Sequence, residues 1–251
     1  MKLKNKIALI TGSSRGIGAS IAIRYAREGA SVAVVAHKNI AEGQLIADEI
    51  VSEGGSAAVF SADVGTVDGC SGLVEKVVAH FGTLDILVNN AAVFNVGSIE
   101  KTTEEMWDKQ INVNLKGSFF MIKAAVPLMK EKGKGKIINI TSIAAVGGFP
   151  DAAAYCSSKG GQLLMVKALC LELAKHGINI NSLAPENTKT DMNKNLREVS
   201  GYDEGQRALT PANISHMDAD DLGGAAVFLA SDDSNMVHGA NLLVDGGWAA
   251  W

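Results

Sequence analysis

The sequence contains little cysteine, proline or aromatic residue, and it has no long hydrophobic run. Its 3 cysteines are an odd number without Cys-x-x-Cys spacing, which argues against a disulfide framework and a cysteine-based metal site. Its 4 prolines are too few for a proline-rich linker or low-complexity chain. The first apolar run covers only residues 7–10, too few for a signal peptide or a membrane span. We therefore expect a cytoplasmic protein with no metal centre and no membrane partner.

An excess of positive charge is also absent. With 23 Lys and Arg residues against 27 Asp and Glu residues, the net charge is −4, so nucleic acid is not an expected partner. The 47% of hydrophobic residues, 20% of charged residues and 27 glycines are typical of a globular protein with many tight turns. Because there is no repeat and no linker, residues 1–251 are predicted to form a single domain.

Short apolar runs alternate with stretches of helical periodicity along the chain. Such runs predict parallel strands that are buried on both faces by helices. The predicted strands cover residues 7–11, 32–36, 57–60, 86–88, 136–140, 178–182 and 242–244. The predicted helices cover residues 16–28, 40–53, 73–81, 103–132, 152–176 and 220–230. The polar segment over about 186–211 is predicted to be an irregular substrate loop, because loops of that length in compact domains are usually functional.

A glycine-rich turn, Thr11-Gly-Ser-Ser-Arg-Gly-Ile-Gly18, joins the first strand to the first helix. In this position the free N–H groups and the helix dipole favour a phosphate, which is typical of a dinucleotide-binding fold. Gly12 and Gly16 would permit the turn and the close approach of a cofactor, and Gly18 would let the helix pack on the strand.

The end of the second strand indicates which dinucleotide is bound. An acidic residue usually holds the adenosine ribose at this place, but the sequence reads Ala36-His37-Lys38. Arg15, His37 and Lys38 would attract a 2′-phosphate, so NADP is favoured over NAD. If His37 and Lys38 are only solvated surface residues, NAD remains the alternative cofactor.

Tyr155 and Lys159 are four residues apart in a predicted helix, and Ser142 precedes them by thirteen residues. Residues four apart lie on one helix face, so the phenol and the ammonium can share a site. Bringing a phenol from a pKa of about 10 to neutrality needs about 4 kcal/mol. One cation at about 4 Å supplies roughly that amount at an effective dielectric constant of about 20. The pair therefore predicts acid–base chemistry, although Tyr-x-x-x-Lys alone also occurs by chance.

Together with Asn89-Asn90-Ala91, these motifs resemble the short-chain dehydrogenase/reductase family over essentially the whole chain. The resemblance implies an α/β fold of the doubly wound Rossmann type, with a seven-stranded parallel sheet and helices on both faces. It also implies a homotetramer that acts on alcohols and ketones as small-molecule substrates.

The resemblance assigns roles to particular residues. Ser142 would polarise the substrate carbonyl, Tyr155 would donate its proton, Lys159 would bind the nicotinamide ribose and lower the Tyr155 pKa, and Asn114 would shape the helix backbone beside them. The expected cofactor-binding residues are Gly12, Ser14, Arg15, Gly16, Ile17, Gly18, His37, Lys38, Asp63, Val64, Asn90, Ala91, Ala92, Tyr155, Lys159, Pro185, Thr188 and Thr190.

Three positions depart from the family pattern. Ala92 replaces a common glycine, and Glu186 and Thr188 follow Pro185 where the family commonly has glycine and an apolar residue. Glu186 is expected to face solvent. As a hypothesis, it is instead a third substrate residue beside Ser142 and Tyr155, where its charge would favour amine-bearing or polyhydroxylated ketones.

The sequence thus predicts an NADP-preferring carbonyl reductase or alcohol dehydrogenase. An epimerase or dehydratase with a retained cofactor, and a non-catalytic dinucleotide sensor, are the alternatives. The terminal Trp248 and Trp251 are large for a chain end and predict either a subunit contact or packing within the chain.

Overall fold

The computed structural model describes residues 1–250, and its centre is one parallel sheet of seven strands. The strands lie in the order β3-β2-β1-β4-β5-β6-β7, and every neighbouring pair is parallel. This confirms the predicted seven-stranded sheet. The strands are β1 (Ile7–Ile10), β2 (Ser31–Ala36), β3 (Ser56–Ser61), β4 (Ile86–Asn89), β5 (Gly135–Ile140), β6 (Ile178–Pro185) and β7 (Asn241–Val244).

The chain reverses its direction of winding between β1 and β4. β1 pairs with β2 on one side, where Ala8 faces Val32, and with β4 on the other, where Ala8 faces Ile86. In open α/β sheets this switch point leaves a crevice at the carboxyl ends of the strands, where ligands bind. The glycine-rich turn follows β1 at this crevice.

Helices cover both faces of the sheet, as a doubly wound fold requires. Ile21 and Leu229 belong to the apolar core on one face, and Val77, Met121 and Val166 belong to the core on the other. The helices are α1 (Gly16–Arg27), α2 (Ile40–Ser52), α3 (Val67–Phe81), α4 (Glu104–Gln110), α5 (Ser118–Lys132), α6 (Ala153–Leu173), α7 (Lys194–Arg197), α8 (Tyr202–Leu209) and α9 (Gly223–Ala230).

The helix predicted over residues 103–132 is not continuous. A π-helical segment, Ile111–Gly117, separates α4 from α5 and contains the buried Asn114. A π-helix closes its hydrogen bonds one residue further on than an α-helix, so it leaves the apolar spacing of the sequence almost unchanged. Hydrophobic periodicity therefore did not reveal it.

The prediction that the segment over 186–211 is irregular was wrong. It contains a 3₁₀ turn, Asp191–Asn193, followed by α7 and α8. Both helices have at most eight residues and no buried side chain, so they lack the long apolar stripe by which helices are recognised in a sequence.

The chain end packs against the loop that precedes α6. The indole of Trp248 stacks on Phe149, with ring centroids 5.2 Å apart and an interplanar angle of 22°. Packing within the chain is thus observed for Trp248, whereas Trp251 lies outside the described residues. No helix in residues 1–250 combines the length and the apolar character that crossing a membrane requires.

Candidate active site

The predicted functional residues gather at the carboxyl edge of the four central strands. The glycine turn follows β1, Asn90 follows β4, Ser142 lies two residues beyond β5, and Pro185 is the last residue of β6. The connections from these strands therefore meet at one crevice.

Backbone conformation explains two glycines of the turn, and close packing explains the third. Gly12 and Gly16 have φ angles of +64° and +57°, in the left-handed region that favours glycine. A Cβ on Gly18 would lie 2.4 Å from Asn90 Nδ2, so helix α1 approaches the end of β4 only because Gly18 has no side chain.

The start of α1 has the properties of an anion site. Arg15 is the N-cap residue, and its side chain makes no capping hydrogen bond. The first N–H groups of a helix have no partner within the helix, and with the helix dipole they favour a phosphate. This turn therefore fits the pyrophosphate of a dinucleotide.

The side chain of Asn90 holds the glycine turn in place. Its Nδ2 donates to the carbonyl oxygens of Thr11 and Gly12 at 2.9 and 3.0 Å. Thr11 Oγ1 accepts hydrogen bonds from the N–H groups of Asn90 and Ala91, both at 3.0 Å. Thr11 was not singled out in the sequence, although its place directly before the first glycine could have revealed it.

The cations expected around a 2′-phosphate lie close to carboxylates. Arg15 Nη1 is 3.9 Å from Glu42 Oε2 and 3.8 Å from Asp191 Oδ2. His37 Nε2 is 3.7 Å from Asp63 Oδ2. These are exposed pairs, which contribute about 0–1 kcal/mol each. Arg15 and His37 can therefore reach a phosphate, but the nearby carboxylates compete with the phosphate for them.

The segment after β6 passes over the glycine turn. A Cβ on Gly16 would lie 3.2 Å from Thr190 Cγ2, so the threonine methyl group sits directly above the turn. Arg197 Nη2 donates to the Thr190 carbonyl at 3.0 Å and ties α7 to this segment. Thr188 Oγ1 donates to the Glu186 carbonyl at 3.0 Å and is buried. Thr190 therefore lies beside the glycine turn, whereas the Thr188 side chain is held by its own segment.

Ser142, Tyr155 and Lys159 lie together beside this crevice. Ser142 is the N-cap of the 3₁₀ turn Ile143–Ala145, and its Oγ accepts a hydrogen bond from the Ala144 N–H at 3.1 Å. Lys159 is only 2% exposed, and its Nζ donates to the Ile140 carbonyl at 2.8 Å. The same Nζ lies 5.7 Å from the centroid of the Tyr155 ring.

Burial opposes the charged forms of both members of the Tyr155–Lys159 pair. It raises the pKa of Tyr155 to about 12, while Ser142 acts in the opposite direction and Cys156 raises that pKa further. Burial also lowers the pKa of Lys159 to about 7. The Tyr155 pKa is thus raised and not lowered as the sequence predicted, because the spacing of Tyr155 and Lys159 does not indicate how deeply the phenol is buried.

Asn114 connects the π-helical segment to the catalytic helix. Its Nδ2 donates to Ser158 Oγ at 3.1 Å and to the Val93 carbonyl at 3.0 Å, while its Oδ1 accepts from the Val93 N–H at 2.8 Å. Its main-chain carbonyl accepts from Gln162 Nε2 at 2.7 Å. Asn114 therefore fixes α6 on both sides of Lys159. Ser158 and Gln162 were missed in the sequence because nothing local marks them.

The expectation that Glu186 faces solvent was wrong. The residue is 4% exposed, its Oε1 accepts a hydrogen bond from Thr210 Oγ1, and its Oε2 has no hydrogen-bond partner among residues 1–250. Burial raises the pKa of this carboxyl, the Thr210 hydrogen bond acts in the opposite direction, and Asp245 raises the pKa further. Thr210 lies at the end of α8, 24 residues away, so no local pattern indicated the contact.

Phe94 contributes an apolar wall beside the phenol. Its ring centroid lies 4.8 Å from that of Tyr155, at an interplanar angle of 70°. Edge-to-face pairs of this kind hold an aromatic side chain in a defined orientation. Sequence reasoning did not identify Phe94, because a single aromatic residue after a strand is usually part of a core.

Comparison with known proteins identifies the family. A family model described as "Enoyl-(Acyl carrier protein) reductase" matches residues 12–249. Trans-4-hydroxycyclohexanecarboxylate dehydrogenase from Sinomonas cyclohexanicum is 39% identical over 255 residues, which cover 99% of this chain and 95% of the relative. The chain belongs to the short-chain dehydrogenase/reductase family. It is therefore an oxidoreductase of that family.

Other short-chain dehydrogenase/reductase relatives are similar over their whole length. L-rhamnose 1-dehydrogenase (NAD(P)(+)) from Azotobacter vinelandii is 37% identical, over 98% of each chain. The crystal structure of a gluconate 5-dehydrogenase from Burkholderia cenocepacia in complex with NADP and tartrate has a TM-score of 0.95 and 33% identity, over 100% of this chain and 97% of that one. The Rossmann fold of this chain is the fold of its family.

Proposed function

We propose that this enzyme transfers hydride between NADP(H) and a secondary alcohol or ketone, as a carbonyl reductase or alcohol dehydrogenase. The observation that supports this most strongly is the position of Tyr155, whose ring lies beside the Lys159 Nζ at the same strand edge as the glycine turn and Ser142. A phenol is protonated at neutral pH, so Tyr155 can give a proton to a carbonyl oxygen that is bound at this edge.

In this proposal the side chains divide the acid–base work. The Ser142 hydroxyl polarises the substrate carbonyl by a hydrogen bond, and the Tyr155 hydroxyl transfers its proton to the same oxygen as negative charge develops there. The phenolate that remains is stabilised by Ser142 and by the Lys159 ammonium. A bound nicotinamide supplies or accepts the hydride. Asn114 keeps α6, and with it Tyr155 and Lys159, in register with the crevice.

Residues around the crevice would hold the cofactor in three groups. The turn from Gly12 to Gly18 would bind the pyrophosphate, and Arg15, His37 and Lys38 would surround a 2′-phosphate. Adenine would lie beside Asp63 and Val64, while Ala91, Ala92, Pro185, Thr188 and Thr190 would line the nicotinamide side. We propose NADP as the preferred cofactor, supported by the NADP named in the similar gluconate 5-dehydrogenase complex.

Glu186 supports the substrate segment in this proposal and does not present a charge to the substrate. Its carboxyl group is buried and is turned towards Thr210, which closes α8. The segment over 186–211 then selects the substrate through α7 and α8, in keeping with the role of variable loops on a fixed scaffold.

We further propose that residues 1–251 act as a single catalytic domain in a cytoplasmic homotetramer. The family match runs without interruption over residues 12–249. Large apolar side chains are exposed on α5 and α6, with Phe119 at 41%, Leu164 at 66% and Leu171 at 84% exposure. Covering such side chains is a usual role of subunit contacts. Light scattering of the purified protein measures the number of subunits.

The experiment that tests this function is a panel of ketones and secondary alcohols assayed with NADPH and with NADH. Net change in the near-ultraviolet absorbance of NADPH is expected with at least one substrate class. An epimerase or dehydratase that retains its cofactor would convert its substrate without that net change. If Tyr155→Phe keeps the full rate on an accepted substrate, the proposed mechanism is wrong.

A further inference from the structure

The turn after β7 packs against the loop that connects Ser142 to Tyr155. Besides its stack on Phe149, the indole of Trp248 lies directly over Gly147. A Cβ on Gly147 would be 2.6 Å from Trp248 Cη2 and 2.8 Å from Cζ3, closer than real Cβ contacts occur. One side chain of the terminal turn therefore touches two points of the catalytic loop.

The turn that carries Trp248 is firmly held. The Asp245 carboxylate accepts hydrogen bonds from the Gly247 and Ala249 N–H groups at 3.0 and 2.9 Å, and the Trp248 N–H donates to the Asp245 carbonyl at 3.0 Å. Gly246 is also hydrogen-bonded through its carbonyl to the Ala212 N–H at 2.9 Å. The indole is thus presented from a fixed support at the end of the substrate segment.

The two contact points lie between the two catalytic side chains. The Gly147 N–H donates to the Ile143 carbonyl at 2.9 Å, which joins it to the turn that begins at Ser142. The Phe149 carbonyl accepts from the Ala152 N–H at 3.3 Å, at the N-cap of α6. A shift of the loop at these points therefore displaces Ser142 on one side and the first turn of α6 on the other.

We propose that Trp248 is a positioning residue, which fixes the distance between Ser142 and Tyr155 by clamping the loop at Gly147 and Phe149. This rests on the proposed function, because the geometry matters only if both hydroxyls act on one substrate oxygen. Trp248 acts through the loop, and the same turn links the catalytic loop to the end of the 186–211 segment. A substrate that displaces this segment would therefore also adjust the catalytic pair.

The neighbouring glycines provide a matched pair of variants. The backbone of Gly147 lies outside the left-handed region, so Gly147→Ala introduces a collision with the indole and no backbone strain. Gly148 has nothing within 4 Å of the position of a Cβ, and its backbone is equally unstrained, so Gly148→Ala is the control. Because misplacing a reacting group by about 1 Å costs up to about 100-fold, Gly147→Ala should lower kcat by roughly 10-fold or more. Gly148→Ala should leave kcat within about 2-fold, as substitutions on open surface usually do.

Removal of the indole tests whether the loss depends on Trp248. Trp248→Ala should lower kcat by a similar factor, with the KM for NADPH nearly unchanged, and Trp248→Phe should restore most of it. In the Trp248→Ala background, Gly147→Ala should cause no further loss, because the atom it collides with is gone. If Trp248→Ala and Gly147→Ala each lowered kcat by the same factor in the double variant as alone, the proposal would be overturned. A wild-type kcat in a folded Trp248→Ala variant would also overturn it.

A readout without turnover separates this proposal from the proposed function. The chain has 3 tyrosines, so labelling with fluorotyrosine gives three fluorine resonances, and Tyr155→Phe identifies one of them as Tyr155. In Trp248→Ala and in Gly147→Ala the Tyr155 resonance should shift, and in Gly148→Ala it should not. An unmoved resonance contradicts the clamp even in an active enzyme. A shifted resonance in a protein that reduces no ketone leaves the clamp standing and refutes the proposed function.

Discussion

Replacement of Glu186 by glutamine should make the stability of the protein less dependent on pH. Thr210 Oγ1 carries one proton but faces two acceptors, Glu186 Oε1 and the Gln206 carbonyl, the latter at 3.0 Å. If the carboxyl is protonated, it can donate to Thr210 Oγ1, and Thr210 can then donate to the Gln206 carbonyl, so both contacts of the hydroxyl are hydrogen bonds. The amide of Glu186→Gln can donate in the same way at any pH.

The sign of the effect follows from the raised pKa of the Glu186 carboxyl. A carboxyl whose pKa is higher in the folded protein binds its proton more tightly there, so it adds stability below its unfolded pKa of about 4.3. That stability is lost as pH rises through the folded pKa, and its size is about 1.4 kcal/mol for each pH unit that separates the unfolded pKa from the folded pKa. The wild type should therefore lose stability with rising pH through a process that is missing in Glu186→Gln.

Thermal unfolding measures this difference. From about pH 4 upwards, until the pH has passed the folded pKa of Glu186, the Tm of Glu186→Gln relative to the wild type should rise with pH. Glu186→Ala removes one of the two acceptors of the buried Thr210 hydroxyl and should cost about 1 kcal/mol, or a Tm lower by about 2–4 °C in a chain of this size. In a Thr210→Val background the hydrogen bond that lowers the Glu186 pKa is lost, so the pH-dependent advantage of Glu186→Gln should grow. Parallel curves of Tm against pH for the wild type and Glu186→Gln would refute the reasoning.

Two further predictions have matched controls within the chain. Glu42→Gln removes a carboxylate 3.9 Å from Arg15 and should raise kcat/KM for NADPH relative to NADH by about 2–5-fold. The control Glu53→Gln, which breaks a remote exposed pair with Arg27, should leave this ratio unchanged. An unchanged ratio in Glu42→Gln would show that Arg15 does not contact the 2′-phosphate. Gly18→Ala puts a Cβ 2.4 Å from Asn90 Nδ2 and should abolish dinucleotide binding, as measured by a fluorescence titration. The control Gly72→Ala, whose Cβ would have nothing within 4 Å, should be tolerated or should stabilise the protein by up to about 1 kcal/mol. Normal binding by Gly18→Ala would contradict the packing of α1 on β4.

The features that the sequence predicted are those that local chemistry dictates. Gly12 and Gly16 are required by left-handed backbone and Gly18 by close packing, so their spacing after an apolar run already indicated the turn. Tyr155 and Lys159 lie on the same face of their helix wherever that helix packs in the fold. Strands such as β1 and β2 could be predicted because they contain short apolar runs that are buried in the sheet.

The features that the sequence did not predict depend on contacts between distant residues. The burial of Glu186 is set by Thr210, 24 residues away, and the position of α6 is set by Asn114, 44 residues from Ser158. The pKa of Tyr155 was expected to fall because the lysine charge could be read from the sequence, whereas the burial that outweighs it could not. Fixed spacing predicts which groups meet, and tertiary packing decides their ionisation.

The measurement that tests the central claim most directly is kcat for ketone reduction by Tyr155→Phe, compared with the wild type at saturating NADPH. The variant keeps the ring beside Phe94 and removes only the hydroxyl that gives up its proton. Loss of a general acid usually costs about 10²–10⁴-fold, so we expect a fall in that range with nearly unchanged affinity for NADPH. A variant that reduces the same ketone at the wild-type rate would contradict the assignment of Tyr155 as the proton donor.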